Sequence, residues 1–330
     1  MSRARAVLAY GARMLAAALM WAAATGLSAQ TPVTIDEGSS APPARREVVI
    51  LEPILPMIFF DTLSAEPPAR YHRYALPEQT LSFSDTAMED VTPLELHHWA
   101  LDVIGYRMRQ HPATTIEVVA TTPESSNYYE LRQLLTARAS VVVGYLAEIW
   151  GIDSSRITIR LEANPWGVRA GRDYNQYAEY RNVAIHTDSW ELLRPVTLRT
   201  DGAPYVGPDT SGPHGPTTVV VPLRGYPYDR FEPGAFNMRV IREIILPLIS
   251  RGTMIDVVGH TDVIGLMERN LYLSTRRADT TGRLINEALP RRERRRIATR
   301  GVGEEEPLFA NELPERLLLN RVVAVRLRTP

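Results

Sequence analysis

The chain has 330 residues with 37 Lys and Arg against 38 Asp and Glu, a formal net charge of −1, and no cysteine. It contains no lysine, so apart from histidine every basic residue is an arginine. These facts exclude a disulfide framework, a cysteine nucleophile and a catalytic or phosphate-binding lysine. The near-neutral charge is not that of a nucleic-acid-binding protein, and the length predicts two domains.

The N-terminal segment has the pattern of a secretory signal peptide. Arginines precede the apolar run Met14–Leu27, and small residues follow it. The run is shorter than the ~20 residues that span a bilayer. We therefore predict a cleaved signal peptide at residues 1–29 and no transmembrane span in the mature chain. Residues 30–46 are polar and contain prolines, and are predicted to form a flexible lead-in.

The first half of the remaining chain alternates between strand and helix patterns. We predict one domain over residues 47–193, interrupted by an insertion at residues 65–92 that is rich in Pro, Tyr and His. The predicted elements are a strand within Val48–Phe60, a helix Leu94–Gln110, a strand Thr114–Ala120, a helix Tyr129–Trp150, and strands Ile157–Leu161 and Val183–His186. Residues 194–216 are dense in Pro and Gly, which predicts a linker.

The second half repeats this order. Ile116–Val119 aligns with Ile255–Val258 at an offset of 139 residues, and the same offset places Arg277 on Arg138. We therefore predict two copies of one domain. The first, residues 47–193, is called copy 1, and the second, residues 217–330, is called copy 2.

One stretch of copy 2 has a pattern suited to ligand binding. The predicted strand Ile255–Val258 leads into Gly259-His260-Thr261-Asp262, after which a helix is predicted. Asn270, Ser274 and Arg277 follow an i, i+4, i+7 spacing, so they share one face of that helix. A carboxylate and a guanidinium beside one groove suit a zwitterionic ligand, because the first binds an ammonium and the second binds a carboxylate through two parallel hydrogen bonds.

These residues resemble the signature of the OmpA-like peptidoglycan-binding domain family. The resemblance runs from about Thr217 to the C-terminus. It is carried by Gly259-His260-Thr261-Asp262, Gly265, Asn270, Leu273-Ser274, Arg277-Ala278, Gly301-Val302-Gly303-Glu304 and Asn320-Arg321-Val322-Val323. It implies an α+β fold with two β-α-β-α-β domains, each a mixed sheet with two helices on one face.

The resemblance also implies a ligand and a role for each site residue. The ligand is peptidoglycan, bound without covalent chemistry through the diaminopimelate of an uncrosslinked stem peptide. Asp262 would accept the ammonium, Arg277 would bind the carboxylate and Asn270 would orient the peptide. Thr261 would contribute at the start of the helix, and Arg321 would support the site from the adjacent strand.

The implied protein is an anchor or structural tether of the cell envelope rather than an enzyme. It would lie in the periplasm, associated with the cell wall and the outer membrane, and would need no cofactor or metal. An outer-membrane or envelope protein partner is left open, and no nucleic-acid partner is expected.

Copy 1 lacks most of the pattern. The positions of the aspartate, the asparagine and the serine hold instead Pro123, Leu131 and Leu135, and only Arg138 is kept. A pocket without that carboxylate cannot bind an ammonium in the same way, although Glu124 or Asn127 could substitute from other backbone positions. We predict that copy 1 is structural or binds something else.

Simpler interpretations compete with this one. An isolated Asp262 would be a helix N-cap, and an isolated Arg277 would be a solvated helix charge. An enzyme is not indicated, because no G-x-S-x-G turn accompanies Ser274. His97 and His98 are adjacent on a helix and point in different directions, so they do not form a metal site.

The alternative function is a periplasmic protein-interaction scaffold of an envelope complex with little or no wall binding. The segments Val48–Phe60 and Tyr71–Phe83 would then be its contact surfaces.

Overall fold

The strands of this protein form two mixed sheets. The computed structural model describes residues 48–124, 127–163, 178–200, 205, 217–226 and 229–329, so the predicted signal peptide and lead-in lie outside the described residues. The strands in these ranges are β1 (Val48–Glu52), β2 (Met57–Phe59), β3 (Ile116–Thr122), β4 (Ile157–Ala163), β5 (Asn182–His186), β6 (Val196–Thr200), β7 (Thr217–Arg224), β8 (Met254–His260), β9 (Ala298–Gly303) and β10 (Val322–Thr329).

The helices cover one side of each sheet. Those within the described ranges are α1 (Pro93–His98), α2 (Ala100–Gln110), α3 (Tyr128–Glu148), α4 (Trp190–Leu193), α5 (Ala235–Val240), α6 (Leu246–Leu248), α7 (Met267–Ala288) and α8 (Pro314–Asn320). A π-helical turn, Ile241–Ile245, joins α5 to α6. The hydrogen bonds of this turn span one residue more than those of an α-helix. In a regular α-helix, the ring of Pro247 would clash with the carbonyl of residue 243.

The topology confirms the predicted duplication. One sheet has the strand order β2-β5-β3-β4, and the last four strands of the other have the order β7-β10-β8-β9. In both series the first two pairings are antiparallel and the last is parallel. The α+β class and the two mixed sheets are therefore as the sequence predicts.

Two further strands extend the sheet of copy 2. β1 pairs in parallel with β7, and β6 pairs antiparallel with β1, so the full order is β6-β1-β7-β10-β8-β9. β1 precedes β2 of copy 1 in the chain, and β6 lies within the predicted linker 194–216. That stretch is predicted to be a linker because it is rich in Pro and Gly, yet its first residues alternate between apolar and polar, and Val196 and Leu198 are buried. The domain boundaries otherwise remain a prediction.

The two copies share a hydrophobic core. Val220, Val322 and Ala324 of the copy 2 sheet pack with the buried apolar residues of copy 1. The opposite face of the same sheet packs against α5, the π-helical turn and α7. The copy 2 sheet is therefore covered on both faces, and all described residues fall in one compact unit, Ala44–Pro330.

A buried polar cluster lies in this shared core. Arg224 of β7 donates from Nε to Glu52 Oε1 of β1 at 2.5 Å and from Nη1 to the carbonyl of Leu319 at 2.7 Å. The hydroxyl of Tyr205 donates to Glu52 Oε2 at 2.8 Å. Glu52 and Arg224 are only 1% and 4% exposed, so the pair is shielded from solvent.

The insertion at residues 65–92 packs onto copy 1 rather than projecting from it. It contains two 3₁₀ turns, Pro77–Ser82 and Asp85–Met88, and its Tyr71 and Phe83 are buried. The apolar residues at both ends of Val48–Phe60 are buried too. The expectation that Val48–Phe60 is an exposed contact surface is therefore wrong, because its apolar side chains complete the core.

Candidate functional site

The predicted site lies where strand β8 ends and helix α7 passes close to it. Gly259 of β8 and Gly301 of β9 permit this approach. A Cβ on Gly259 would lie 2.2 Å from the carbonyl oxygen of Ser274, and one on Gly301 would lie 2.2 Å from the amide nitrogen of Thr275. Only glycine fits at such contacts, so these two positions bring the polar face of α7 against the turn that carries Asp262.

The five predicted site residues line one cavity of about 170 Å³, called here the Asp262 cavity. They are Thr261, Asp262, Asn270, Arg277 and Arg321. The other lining residues are Glu179, Tyr180, Tyr226, Asp229, Ile264, Gly265, Arg269 and Leu273. The structure thus brings together the acid, the amide and the two arginines that the sequence separates by up to 59 positions.

Asp262 holds the turn and contacts an arginine. Its side chain is buried, Oδ1 accepts the backbone N–H of Ile264 at 3.0 Å, and Oδ2 accepts Nε of Arg321. The N-cap of α7 is Leu266, which makes no side-chain capping bond. Asp262 is therefore not the helix cap. The amide of Ile264 donates its hydrogen bond to Asp262.

Arg277 also lines the cavity. It is 6% exposed, donates from Nε to the carbonyl of Arg230 at 2.9 Å, and has its guanidinium carbon 5.1 Å from the ring centre of Tyr226. Burial lowers the pKa of Arg277, yet an arginine keeps its charge in this environment. It is a buried cation held by a carbonyl and an aromatic face, and not a solvated helix charge.

Asn270 and Thr261 differ in how their polar atoms are engaged. Asn270 Nδ2 donates to the carbonyls of Asp262 and Ile264 at 3.2 Å and to Glu304 Oε2 at 2.5 Å. Its amide therefore fixes the turn. Among the described residues, the buried Oγ1 of Thr261 has no hydrogen-bond partner. A buried hydroxyl in a cavity wall is suited to bond a ligand.

His260 and Ser274 support the backbone of the site. His260 Nδ1 bonds to the carbonyl of Glu306 at 3.0 Å, as predicted for a structural residue at the strand end. Burial lowers the pKa of His260 to about 4, so the ring is neutral at physiological pH. Ser274 Oγ accepts the amide of Gly303 at 2.9 Å, which ties α7 to the end of β9.

Arg321 connects the site to copy 1. Its Nε donates to Asp262 and its Nη2 donates to Glu179, which lies just before β5 of copy 1. Neither Glu179 nor Tyr180 could be found from the copy 2 signature, because they belong to the other copy and carry no local pattern. They reach the cavity only through the packing of the two copies.

The equivalent region of copy 1 is filled by its own contacts. Arg138 is fully buried and donates to the carbonyls of Ser64 at 2.8 Å and Asp61 at 3.0 Å. Burial lowers its pKa to about 10. Glu124 accepts Nε of Arg181 at 2.5 Å, which parallels the contact between Asp262 and Arg321.

The described residues contain neither a cluster of metal ligands nor a membrane-spanning helix. Within the described ranges, no group of three or more His, Asp or Glu side chains could hold a metal ion. None of the helices in the described part of the chain combines the length and apolarity of a membrane crossing.

The chain is similar in fold to OmpA-like and peptidoglycan-associated domains of known structure. One is the peptidoglycan-associated lipoprotein from Burkholderia pseudomallei, 18% identical, with 32% of this chain and 88% of that chain covered and a TM-score of 0.28. Another is the cell wall anchor of the T6SS from Pseudomonas aeruginosa, with 21% identity, coverage of 34% and 81%, and a TM-score of 0.29.

A third similar structure is the OmpA-like domain of FopA1 from Francisella tularensis. It is 20% identical, with 34% of this chain and 73% of that chain covered and a TM-score of 0.28. No protein-family model and no curated protein matches the sequence. The similarity is one of fold, so what the site binds has to be argued from its own contacts.

Proposed function

We propose that this protein binds peptidoglycan non-covalently through copy 2 and serves as an anchor or structural tether in the cell envelope. The observation that carries the proposal is that Asp262 and Arg277 lie in the walls of one cavity, with the buried hydroxyl of Thr261 beside them. A carboxylate and a guanidinium that line one small cavity suit a ligand with one ammonium and one carboxylate.

The ligand we propose is the diaminopimelate of an uncrosslinked stem peptide. Its side chain ends in both an ammonium and a carboxylate, and crosslinking would consume the ammonium. In this pose Arg277 binds the carboxylate, the Asp262 side of the cavity receives the ammonium, and Thr261 bonds to the peptide. Asn270 acts indirectly, since its amide holds the turn on which Asp262 lies.

The expected affinity is modest for one molecule. Hydrogen bonds to charged groups contribute roughly 1.5–3 kcal/mol each, and a cavity of about 170 Å³ admits the end of one amino acid rather than a glycan strand. Weak single contacts become firm attachment when many copies act on one polymer. That combination suits a tether on a wall that must grow.

The test is co-sedimentation with purified peptidoglycan sacculi. Asp262→Asn and Arg277→Gln each remove one charge from the cavity with little change in shape. Arg283→Gln is the control, because Arg283 lies on the same helix, pairs with Glu287 at 3.1 Å and does not line the cavity. We expect the unaltered protein and the control to sediment with sacculi, and the two cavity variants to remain in solution.

The outcomes separate the two functions. If both cavity variants sediment like the unaltered protein, wall binding does not use this cavity. If the unaltered protein itself stays in solution, the wall-anchor function is wrong and the protein-interaction scaffold becomes the leading hypothesis.

A further inference from the structure

The ammonium side of the Asp262 cavity contains a second carboxylate that copy 1 supplies. Glu179 lies just before β5, its side chain is 12% exposed, and it accepts Nη2 of Arg321. The same guanidinium donates Nε to Asp262, which is 5% exposed. One arginine from β10 therefore bridges a carboxylate from each copy, and both carboxylates line the cavity.

This arrangement bears on how an ammonium can be bound. Asp262 already contacts Arg321 through Oδ2 and the amide of Ile264 through Oδ1. Its negative charge is thus offset by the guanidinium beside it, and a neutralised pair attracts a cation weakly. Asp262 alone is a poor ammonium site for this reason.

Glu179 changes that balance. It and Asp262 both bond to Arg321 and both line the cavity, so an ammonium at this wall meets carboxylate oxygens from both copies. Burial by itself would lower the pKa of Arg321, but Glu179 and Asp262 raise it above its ordinary value. The guanidinium is therefore held in its charged form by both carboxylates.

We propose that Glu179 is a specificity-determining residue of the copy 2 cavity, which together with Asp262 selects ligands that carry an ammonium. The inference rests on the proposed function, since it concerns the same cavity and the same zwitterionic ligand. It assigns copy 1 a part in binding even though its own equivalent region is filled. The ligand site is then a composite of both copies.

The test compares two synthetic stem peptides. One ends in diaminopimelate with its free ammonium, and the other carries 2-aminopimelate, in which hydrogen replaces that ammonium. Dissociation constants are measured by calorimetry for the unaltered chain, Glu179→Gln and Glu124→Gln. Glu124 is the matched control. Like Glu179, it is a part-buried glutamate of copy 1 that pairs with an arginine, Arg181, but it does not line the cavity.

We expect the unaltered chain to prefer the ammonium peptide on the order of tenfold, as one unit charge in a part-buried site would give. Glu179→Gln is expected to lose most of that preference and to bind the 2-aminopimelate peptide as before. Glu124→Gln is expected to keep the preference in full. Thermal unfolding of each variant establishes that it is folded under the conditions of measurement.

A second variant separates charge from packing. Glu179→Asp keeps the carboxylate on a shorter side chain, and we expect it to retain at least half of the preference. If Glu179→Gln keeps the full preference, or Glu179→Asp loses it entirely, the inference is overturned while the proposed function stands. If the unaltered chain binds neither peptide, the proposed function fails and the inference fails with it.

Discussion

The two copies place an arginine at the same point of the same fold and use it differently. In copy 2, Arg277 lies in the wall of a cavity that Asp262 also lines. In copy 1, Arg138 is fully buried and bonded to the carbonyls of Asp61 and Ser64, with its guanidinium carbon 5.3 Å from the ring centre of Phe60.

The difference lies in what surrounds the arginine. Leu131 and Leu135 replace the polar residues of the helix face and are buried in copy 1, while Glu124, next to the position of the missing aspartate, takes over the contact with Arg181. The polar contacts that could hold a ligand in copy 2 hold the chain itself in copy 1. The helix face beside the arginine is therefore packed with apolar side chains in copy 1 although the arginine itself is kept.

The largest expected effect comes from replacing each of these two arginines with glutamine, which carries a neutral amide. Arg138→Gln leaves buried carbonyls without their donor, and we expect it to lower the free energy of unfolding by about 3–5 kcal/mol. Arg277→Gln leaves the carbonyl of Arg230 without this donor, and we expect it to cost less, about 1–2 kcal/mol, while it abolishes wall binding. Urea unfolding of both variants measures the difference. Equal losses of stability would contradict the contrast between a structural and a binding arginine.

The next largest effect concerns Glu315 of α8 in copy 2, which contacts Arg70 and His98 of copy 1. This effect depends on pH. Burial would raise the pKa of Glu315, but His98, whose Nε2 lies 3.6 Å from Glu315 Oε1, a backbone hydrogen bond and the charge of Arg70 hold it at about 2. The folded pKa is below the unfolded value, so the stabilisation is complete above pH 4.5 and is lost as the pH falls towards 2. At about 1.4 kcal/mol per pH unit, it amounts to about 3 kcal/mol.

Glu315→Gln should therefore be less stable than the unaltered protein at pH 7, and the two stabilities should converge between pH 4.5 and 2. Burial lowers the pKa of His97 and that of His260 to about 4. Their contribution to the free energy of unfolding is therefore lost as the pH falls from 6.5 to 4, a higher pH range than that of Glu315. Urea midpoints at pH 7, 5 and 3 distinguish the two. Glu312→Gln, on an exposed pair with Arg316, is the control; a constant deficit for Glu315→Gln would refute the prediction.

The smallest effect concerns how the two equivalent helices begin. Asn127 caps α3 by accepting the amide of Glu130 at 3.0 Å, whereas α7 begins at Leu266 without a side-chain cap. Asn127→Ala should cost about 1 kcal/mol of stability and leave wall binding unchanged, whereas Gln133→Ala, exposed on the same helix, should be neutral. A loss of sacculus binding in Asn127→Ala would show that copy 1 binds the wall.

Sequence patterns predicted the elements that repeat and missed those that join the copies. Periodicity predicts the order of strands and helices. The spacing of Asn270 and Arg277 places both on one helix face, whereas Thr261 and Arg321 are identified only by the family resemblance. β6 was missed because its residues lie in a stretch dominated by Pro and Gly. Glu179 was missed because a contact between distant segments leaves no periodic trace in either one.

The pairing of β1 with β7 has a consequence for how the protein is made. Val48 lies opposite Thr218, a separation of 170 residues, and opposite Thr200 on its other side. As the chain is synthesised from its N-terminus, β1 is made long before either of its neighbours exists. Pairings this distant in sequence fold slowly, and strands left unpaired meanwhile are prone to associate with other chains. β1 is thus expected to depend most on chaperones during biogenesis, although it is built into a sheet that the C-terminal copy completes.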